Sequence, residues 1–278
     1  MLTRRQFGAL ALSTVPLARA AKFDSVKIGN QSYSFRDMPL DAAIQAMAAM
    51  GLKECELSQG HMEPPKLDRE ALRKWRLTVP LDEFRGVRKK FDAAGVHLHS
   101  YSYNIKDDFT DEEIARGFEM TKALGVNWFT ASATVSVTPR IDHYASREKV
   151  YVGMHNHANL KDPNEFARPE AWDKAMHGSS KYIAINLDIG HFTAANNDPV
   201  EFLLKHHDKI LTLHLKDRKK NGGPNMPFGE GDTPIKEVLQ VLKKNKYPIY
   251  ANIEYEYKGG DTVTEVKRCL DYCRNALA

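Results

Sequence analysis

Four stretches in the second half of this 278-residue chain end an apolar run on side chains that bind metals or carry protons. They are Tyr151-Val152-Gly153-Met154-His155-Asn156-His157, Ile183-Ala184-Ile185-Asn186-Leu187-Asp188-Ile189-Gly190-His191, Leu211-Thr212-Leu213-His214-Leu215-Lys216-Asp217 and Ile249-Tyr250-Ala251-Asn252-Ile253-Glu254-Tyr255-Glu256. Side chains alternate along an extended strand. With Ile183, Ile185 and Leu187 on the outer face, Asn186 and Asp188 take the inner one. By the same alternation Thr212, His214 and Lys216 point inward, as do Asn252, Glu254 and Glu256. Charge taken inside a protein costs several kcal/mol unless it is paired or bound to a metal. Asp, Glu and His groups converging from four strand ends therefore predict one divalent metal site. Mixed nitrogen and oxygen ligands suit manganese, which we prefer, or zinc, cobalt or iron(II), over magnesium or calcium.

Such convergence requires parallel strands, and the chain supplies them. Strands are expected near 26–33, 54–58, 97–103, 128–132, 150–155, 183–188, 210–216 and 249–254. Helices are expected near 40–50, 81–94, 111–124, 170–177, 199–206, 234–244 and 262–276, with a short or irregular helix over Pro139–Glu148. Repeated βα units imply a parallel sheet with helical crossovers, and their number matches a single-domain α/β fold, the (β/α)8 TIM barrel. An open doubly wound sheet would need a Gly-rich phosphate turn after an early strand, and there is none. Barrels of this kind keep their active sites at the C-terminal mouth, where the four strand ends above deliver their polar groups. Helix punctuation agrees. Gly51 and Gly125 stop helices, Asp111-Glu112-Glu113 opens one, and Asp232-Thr233-Pro234 reads as a capping residue before an early-helix proline.

The order of these motifs resembles the xylose isomerase-like TIM-barrel superfamily, most closely its sugar (phosphate) isomerase/epimerase branch. Gly190-His191-Phe192, His214-Leu215-Lys216-Asp217-Arg218 and Phe228-Gly229-Glu230-Gly231-Asp232 carry the resemblance, which spans the chain beyond the N-terminal segment. It implies that Asp188, His214 and Glu254 are three of four metal ligands. It places His191 on the substrate, Lys216 and Arg218 near substrate oxygens, and the Gly229–Gly231 loop over the mouth. Many epimerases of the family have Glu as first ligand in a Glu-Asn-His context; this chain reads His155-Asn156-His157, which makes His155 the fourth ligand.

The implied activity is that of a divalent-metal-dependent isomerase or epimerase, moving a proton beside a carbonyl through a metal-stabilised enediolate. Glu254, Lys216 and His191 are the catalytic candidates; His157, His191, Lys216, Arg218 and Glu56 are the substrate-binding ones. A metal-bound imidazole is a poor general base, so His155 in place of Glu leaves Glu254 to find its partner among His157, Glu56, Glu256 and Lys216. The alternative is a metal-dependent lyase or hydrolase (a dehydratase or keto-glycoside-cleaving enzyme) on oxidised sugars or inositols. Tyr33, Phe35, Tyr101, Tyr103 and Trp128 are candidates for stacking on a sugar face.

The N-terminus reads as an address. Arg4 and Arg5 within Thr3-Arg4-Arg5-Gln6-Phe7, an apolar stretch from Ala9 to Ala18 and then Ala18-Arg19-Ala20 resemble a twin-arginine signal over residues 1–20, cleaved after Ala20, with residues 21–278 as the barrel. The expected location is periplasmic. Cleavage takes Arg4, Arg5 and Arg19 and no acid from 40 basic and 36 acidic side chains, leaving 37 against 36, or +1. That balance supports no nucleic-acid-binding field and argues against an apurinic-site endonuclease. A composition with 42% hydrophobic and 27% charged residues excludes collagen-like and disordered classes. Three cysteines make no disulfide framework, and Cys269 and Cys273 read as ordinary helix residues. The expected partner is a small carbohydrate, with no nucleic acid and no membrane, in a chain that by family analogy forms a homo-oligomer.

Overall fold

The alternation of extended and helical segments closes into a ring. The computed structural model describes residues 26–278, so the expected signal at 1–20 lies outside the described residues. Strands β1 (Lys27–Gln31), β2 (Glu54–Ser58), β3 (His97–Ser102), β4 (Trp128–Ala131), β5 (Tyr151–His155), β6 (Ile183–Asp188) and β7 (Ile210–Leu215) are followed by a short antiparallel ribbon, β8 (Asp217–Arg218) with β9 (Asn225–Met226), and by β10 (Tyr250–Ile253). The barrel runs β1-β10-β7-β6-β5-β4-β3-β2, closed and parallel throughout. This is the (β/α)8 architecture expected from the sequence.

Around it lie α1 (Leu40–Ala49), α2 (Arg69–Thr78), α3 (Leu81–Ala94), α4 (Asp111–Ala123), α5 (Thr138–Glu148), α6 (Pro169–Met176), α7 (Ile189–Ala194), α8 (Pro199–His206), α9 (Ile235–Asn245) and α10 (Thr262–Leu277). The main core lies between the two layers, where Leu57, Leu98, Phe129, Val152, Ile185, Leu187, Leu213 and Ile253 are fully buried. Cys269 and Cys273 are buried residues of α10. Among the described residues no helix is long and apolar enough to cross a membrane.

The barrel interior is polar instead. Glu56, His99, Thr130, Asn186, Thr212, His214 and Asn252 are all buried there. Its N-terminal end is plugged by aromatic stacking, with the His99 ring 3.9 Å from that of Tyr250 and 5.2 Å from that of Trp128. Burial lowers the His99 pKa to about 3, which keeps the ring neutral. Trp128 therefore sits at the end opposite the mouth. Phe35, Tyr101 and Tyr103 are wholly buried among other side chains. Of the five proposed stacking aromatics only Tyr33 reaches the mouth cavity.

Two local expectations, on α5 and the start of α9, are corrected, and two helices, α2 and α7, went unplaced in the sequence. Helix α2 has little apolar stripe to announce it, because beside Trp75 its packed face carries Arg69, Arg73 and Arg76, at i, i+4 and i+7, which turn onto Glu113. Helix α5 is a regular helix of 11 residues rather than an irregular one. At the C-terminal end of β6, where the strand is expected to end, the chain turns at once into α7, with Asp188 as its N-cap accepting from the His191 amide at 2.7 Å. Helix α9 begins after Pro234 without a side-chain cap, since Thr233 Oγ1 accepts from the Arg218 amide and Asp232 from that of Lys220.

Candidate metal centre

The parallel register sets the depth of each group at the mouth. His155 pairs with Asn186 across β5 and β6, Asp188 with His214 across β6 and β7, and Asn252 with His214 across β10 and β7. One ligand atom from each of His155, Asp188 and His214 lies within 4.8 Å of the others, and all three residues are buried. Glu254 follows β10 directly, and its Oε2 stands 3.1 Å from His214 Nδ1. Two ligands bound at about 2.0–2.2 Å lie up to ~4.4 Å apart across one ion, so the trio His155, Asp188 and His214 needs little adjustment to hold a metal, with Glu254 beside His214.

Three buried atoms of the set make no well-formed hydrogen bond: Asp188 Oδ2, His214 Nδ1 and Glu254 Oε2, whose near neighbours are one another and the Lys216 ammonium. Buried polar atoms are ordinarily satisfied, and unsatisfied ones that cluster mark a place where something binds. The surrounding groups hold the ligands in position. Glu56 is wholly buried beneath His214, 2.9 Å from its Nε2, and accepts from Gln31, Thr130 and Asn252 as well. A carboxylate behind a ligating imidazole fixes its tautomer and orientation. The Asn186 amide nitrogen stands 3.1 Å from His155 Nδ1 and 3.2 Å from His214 Nε2, which leaves His155 Nε2 and His214 Nδ1 for the centre. Asn156 clamps the Asp188 backbone, accepting from its N–H at 2.8 Å and donating to its carbonyl at 3.0 Å.

Lys216 lies among the carboxylates. Its Nζ is 3.0 Å from Asp188, 2.9 Å from Glu254 and 2.6 Å from Glu256, and 3.2 Å from His191 Nε2. Gly190 permits this approach, because a Cβ there would stand 2.6 Å from the Lys216 carbonyl oxygen. The electrostatics follow from burial, this cation and the His214 imidazole among the carboxylates. Burial opposes the charge on Lys216, but Asp188, Glu254 and Glu256 outweigh it and hold the ammonium protonated. Burial also raises Glu254, yet Lys216 and His214 carry its pKa well below the ordinary carboxylate range. Asp188 is raised, by burial and by Glu254, against the pull of Lys216. His214 is raised despite burial because Glu56 and Glu254 flank it. Burial and neighbouring positive charge push His155 and His191 well below the ordinary histidine value. Both are therefore neutral rings with lone pairs.

A cavity of about 250 Å³ opens over the centre. Gln31, Ser58, Ser102, Asn104, Thr130 and Ser132 give it hydroxyl and amide walls, and His155, His157, His214, Glu254 and Glu256 complete the lining. His157 has its Nδ1 3.2 Å from Glu165 and its Nε2 3.1 Å from the Ser132 hydroxyl. That hydrogen bond from His157 holds the Glu165 carboxyl below its ordinary value against burial.

The structure brings His155, Asp188, His214, Glu254, Lys216, His191 and His157 together, and moves three expectations. Glu56 is not at the cavity; it lies under His214, engaged by that ring and by Gln31, Thr130 and Asn252. Arg218 does not line it either, because it donates to the Gly223 carbonyl and stands 2.7 Å from His191 Nδ1, bracing that ring. The Gly229–Gly231 segment wraps Asp217, which accepts from the amides of Gly229, Gly231 and Thr233, and contributes nothing to the cavity lining. Glu165 and Asn104 went unnoticed in the sequence. Both lie in loops after strands, and only the eight-residue step from His157 to Glu165 would have suggested a pairing.

Residues 44–276 match the family model described as xylose isomerase-like TIM barrel. The chain belongs to that family. Over 105 residues this xylose isomerase-like barrel is 28% identical to the L-ribulose-5-phosphate 3-epimerase UlaE of Escherichia coli, a match spanning 37% of this chain and 37% of that enzyme. Among solved structures, 3-keto-D-glucoside 4-epimerase YcjR of E. coli superposes with a TM-score of 0.68 at 14% identity, over 90% of this chain and 99% of that one. The IOLI protein with a bound zinc atom gives 0.68 at 14% identity over 91% and 98% of the two chains. At these identities the structural likenesses establish the shared barrel, and the distant homology is to sugar isomerases and epimerases.

Proposed function

We propose that the protein is a divalent-metal-dependent isomerase or epimerase acting on an unphosphorylated carbohydrate by proton transfer beside a carbonyl. The observation that carries this reading is the convergence of Asp188 Oδ2, His214 Nδ1 and Glu254 Oε2, buried and without a well-formed hydrogen bond, beside His155 at the floor of a polar cavity. His155, Asp188, His214 and Glu254 would hold the ion, manganese in preference to zinc, cobalt or iron(II). When bound it supplies Lewis-acid polarisation of a carbonyl.

The chain supplies the proton transfer. Glu165 faces His157 Nδ1 and so favours the tautomer whose Nε2 is the basic atom, turned to the cavity beside Ser132. Glu254 and Glu256 follow β10, separated from His157 by β6 and β7 in the ring, so a substrate carbon in the cavity is approached from two sides. His191, braced by Arg218, and Lys216 supply the hydrogen-bonding groups beside the carboxylates. The described lining carries hydroxyls, amides, imidazoles and two carboxylates, which suits neutral sugar hydroxyls. Export through a signal cleaved after Ala20 into the periplasm, where free sugars and glycosides are met, fits the same substrate class. No nucleic-acid or membrane partner enters this reading, and the chain is proposed to form a homo-oligomer.

One observation favours a second reading, a metal-dependent lyase or hydrolase on oxidised sugars or inositols. Strand β5 presents an imidazole, His155, which retains no free oxygen to serve as a second base once it is a ligand. Incubation of keto sugars and glycosides in deuterated water separates the two. Incorporation of one solvent hydrogen without change of formula supports the isomerase, and loss of water or an aglycone supports the lyase. Exchange that survives both Asp188→Ala and Glu254→Gln would overturn the metal-site mechanism.

A further inference from the structure

Lys216 stands where its charge and that of an ion would compete. Two of the three carboxylate oxygens around its ammonium, Asp188 Oδ2 and Glu254 Oε2, belong to proposed ligands, and the ammonium meets them as ion pairs without well-formed hydrogen bonds. The third, on Glu256 at 2.6 Å, belongs to a residue outside the ligand set, on the cavity wall and 23% exposed. His191 Nε2 is the remaining group facing the ammonium. The main chain of Lys216 is pinned against Gly190, so any response to an ion falls to the side chain. An ammonium and a dication cannot both rest on the same two buried oxygens, since like charges repel strongly where the dielectric is low.

We propose that Lys216 is a resident competitor of the divalent ion, holding Asp188 and Glu254 in its absence, and that Glu256 is the acceptor that retains the ammonium once the ion takes those oxygens. This rests on the metal-site reading above. Its consequence is that loading shifts Lys216 toward the cavity wall, so that a hydrogen-bond donor faces substrate only in the loaded protein. Lys216 and Glu256 then interact more strongly with metal present than without it, and that difference is measurable as a coupling.

The test is calorimetric titration of manganese into the chelator-stripped protein, as wild type, Lys216→Met, Glu256→Gln and the double variant. Lys216→Met is expected to bind manganese about tenfold tighter, because the competing charge is gone. In the Glu256→Gln background, where the ammonium has nowhere else to go, the same substitution is expected to tighten binding about a hundredfold. Should Lys216→Met not fold without metal, Lys216→Gln, which still donates hydrogen bonds to the carboxylates, takes its place. Manganese affinity unchanged or weakened by Lys216→Met would overturn the competition. An equal tightening in both backgrounds would remove Glu256 as the acceptor. A wild type that binds neither manganese nor zinc would end the metal-site reading itself, and the inference with it.

Discussion

Two buried charge clusters in this barrel are near mirror images. At the mouth one ammonium, Lys216, lies among the carboxylates of Asp188, Glu254 and Glu256. On the outer wall one carboxylate, Glu113, lies among the guanidinium groups of Arg69, Arg73 and Arg76. The outer cluster is complete. Glu113 accepts from Arg69 twice, from Arg73 and Arg76, and from the Thr110 amide. The arginines' remaining charge is met by Glu63 and Asp108, so three positive groups face three negative ones. At the mouth Asp188, Glu254, Glu256 and Glu56 face only Lys216 and the His214 imidazole, whose pKa is raised, and three ligand atoms make no well-formed hydrogen bond. A charge cluster closed on itself is scaffold, and one left negative and unsatisfied is a site. The two are linked through Glu63, which accepts from Arg76 and from Gln59; Gln59 in turn accepts from the amide of Asn104 on the cavity wall.

The largest effect expected to separate them is on Asp188→Asn. Removing one ligand charge should lower solvent-hydrogen exchange by roughly a thousandfold. The metal-free protein should lose no stability, because a carboxylate is removed from a cluster that has too many. Asparagine keeps the oxygen that caps α7 at the His191 amide, so the helix start survives. Exchange assays beside thermal unfolding of the stripped protein check both halves. A lower midpoint in the metal-free variant would show that the mouth cluster is structural after all.

Glu113→Gln should do the reverse. Breaking a buried charge network by removing one partner costs roughly 3–5 kcal/mol, about 10 °C in a chain of this size, while exchange per folded molecule is retained. The pH dependence sharpens the contrast. The arginines and the Thr110 amide outweigh burial and hold the Glu113 pKa down to about 2, from an ordinary 4.5. A carboxyl depressed on folding contributes stability that is whole above the ordinary value and is lost as pH falls from there through about 2. Wild type should therefore lose at most on the order of 3 kcal/mol more than Glu113→Gln between pH 5 and 2, since Arg69 and Arg73 are partly exposed. Parallel urea titrations across that range measure the difference.

The mouth was legible in the sequence and the outer cluster was not, for a physical reason. Strand alternation is a short-range rule, so β6, β7 and β10 announce the inward faces of Asp188, His214 and Glu254 from their own residues. Parallel register then fixes their common depth. Glu56 was noticed, but its place under His214 depends on pairing across β1, β2, β7 and β10, which no local pattern encodes. Helix α2 was missed because its packed face is largely arginine, with Trp75 the apolar residue against the core, and its partner Glu113 lies two helices on, where it read simply as an acidic first-turn residue. Glu165 stayed invisible because a loop decides where it meets His157.

The smallest effect tests how tightly the outer cluster is knit. Thr110 and Glu113 form a capping box: the Thr110 hydroxyl accepts from the Glu113 amide at 3.2 Å while Glu113 Oε2 accepts from the Thr110 amide at 3.1 Å. Thr110→Ala alone should cost about 1 kcal/mol, the usual worth of an N-cap hydroxyl, with manganese affinity and exchange unchanged. Glu113 is at once the third residue of α4 and the hub of three arginines, so the cap and the network share one side chain. If the cap positions that carboxylate for the arginines, Thr110→Ala should cost less in the Glu113→Gln background, because the charge it helps to place is already gone. Equal costs in the two backgrounds would mean that the arginines fix Glu113 unaided, and that the cap serves only the start of α4.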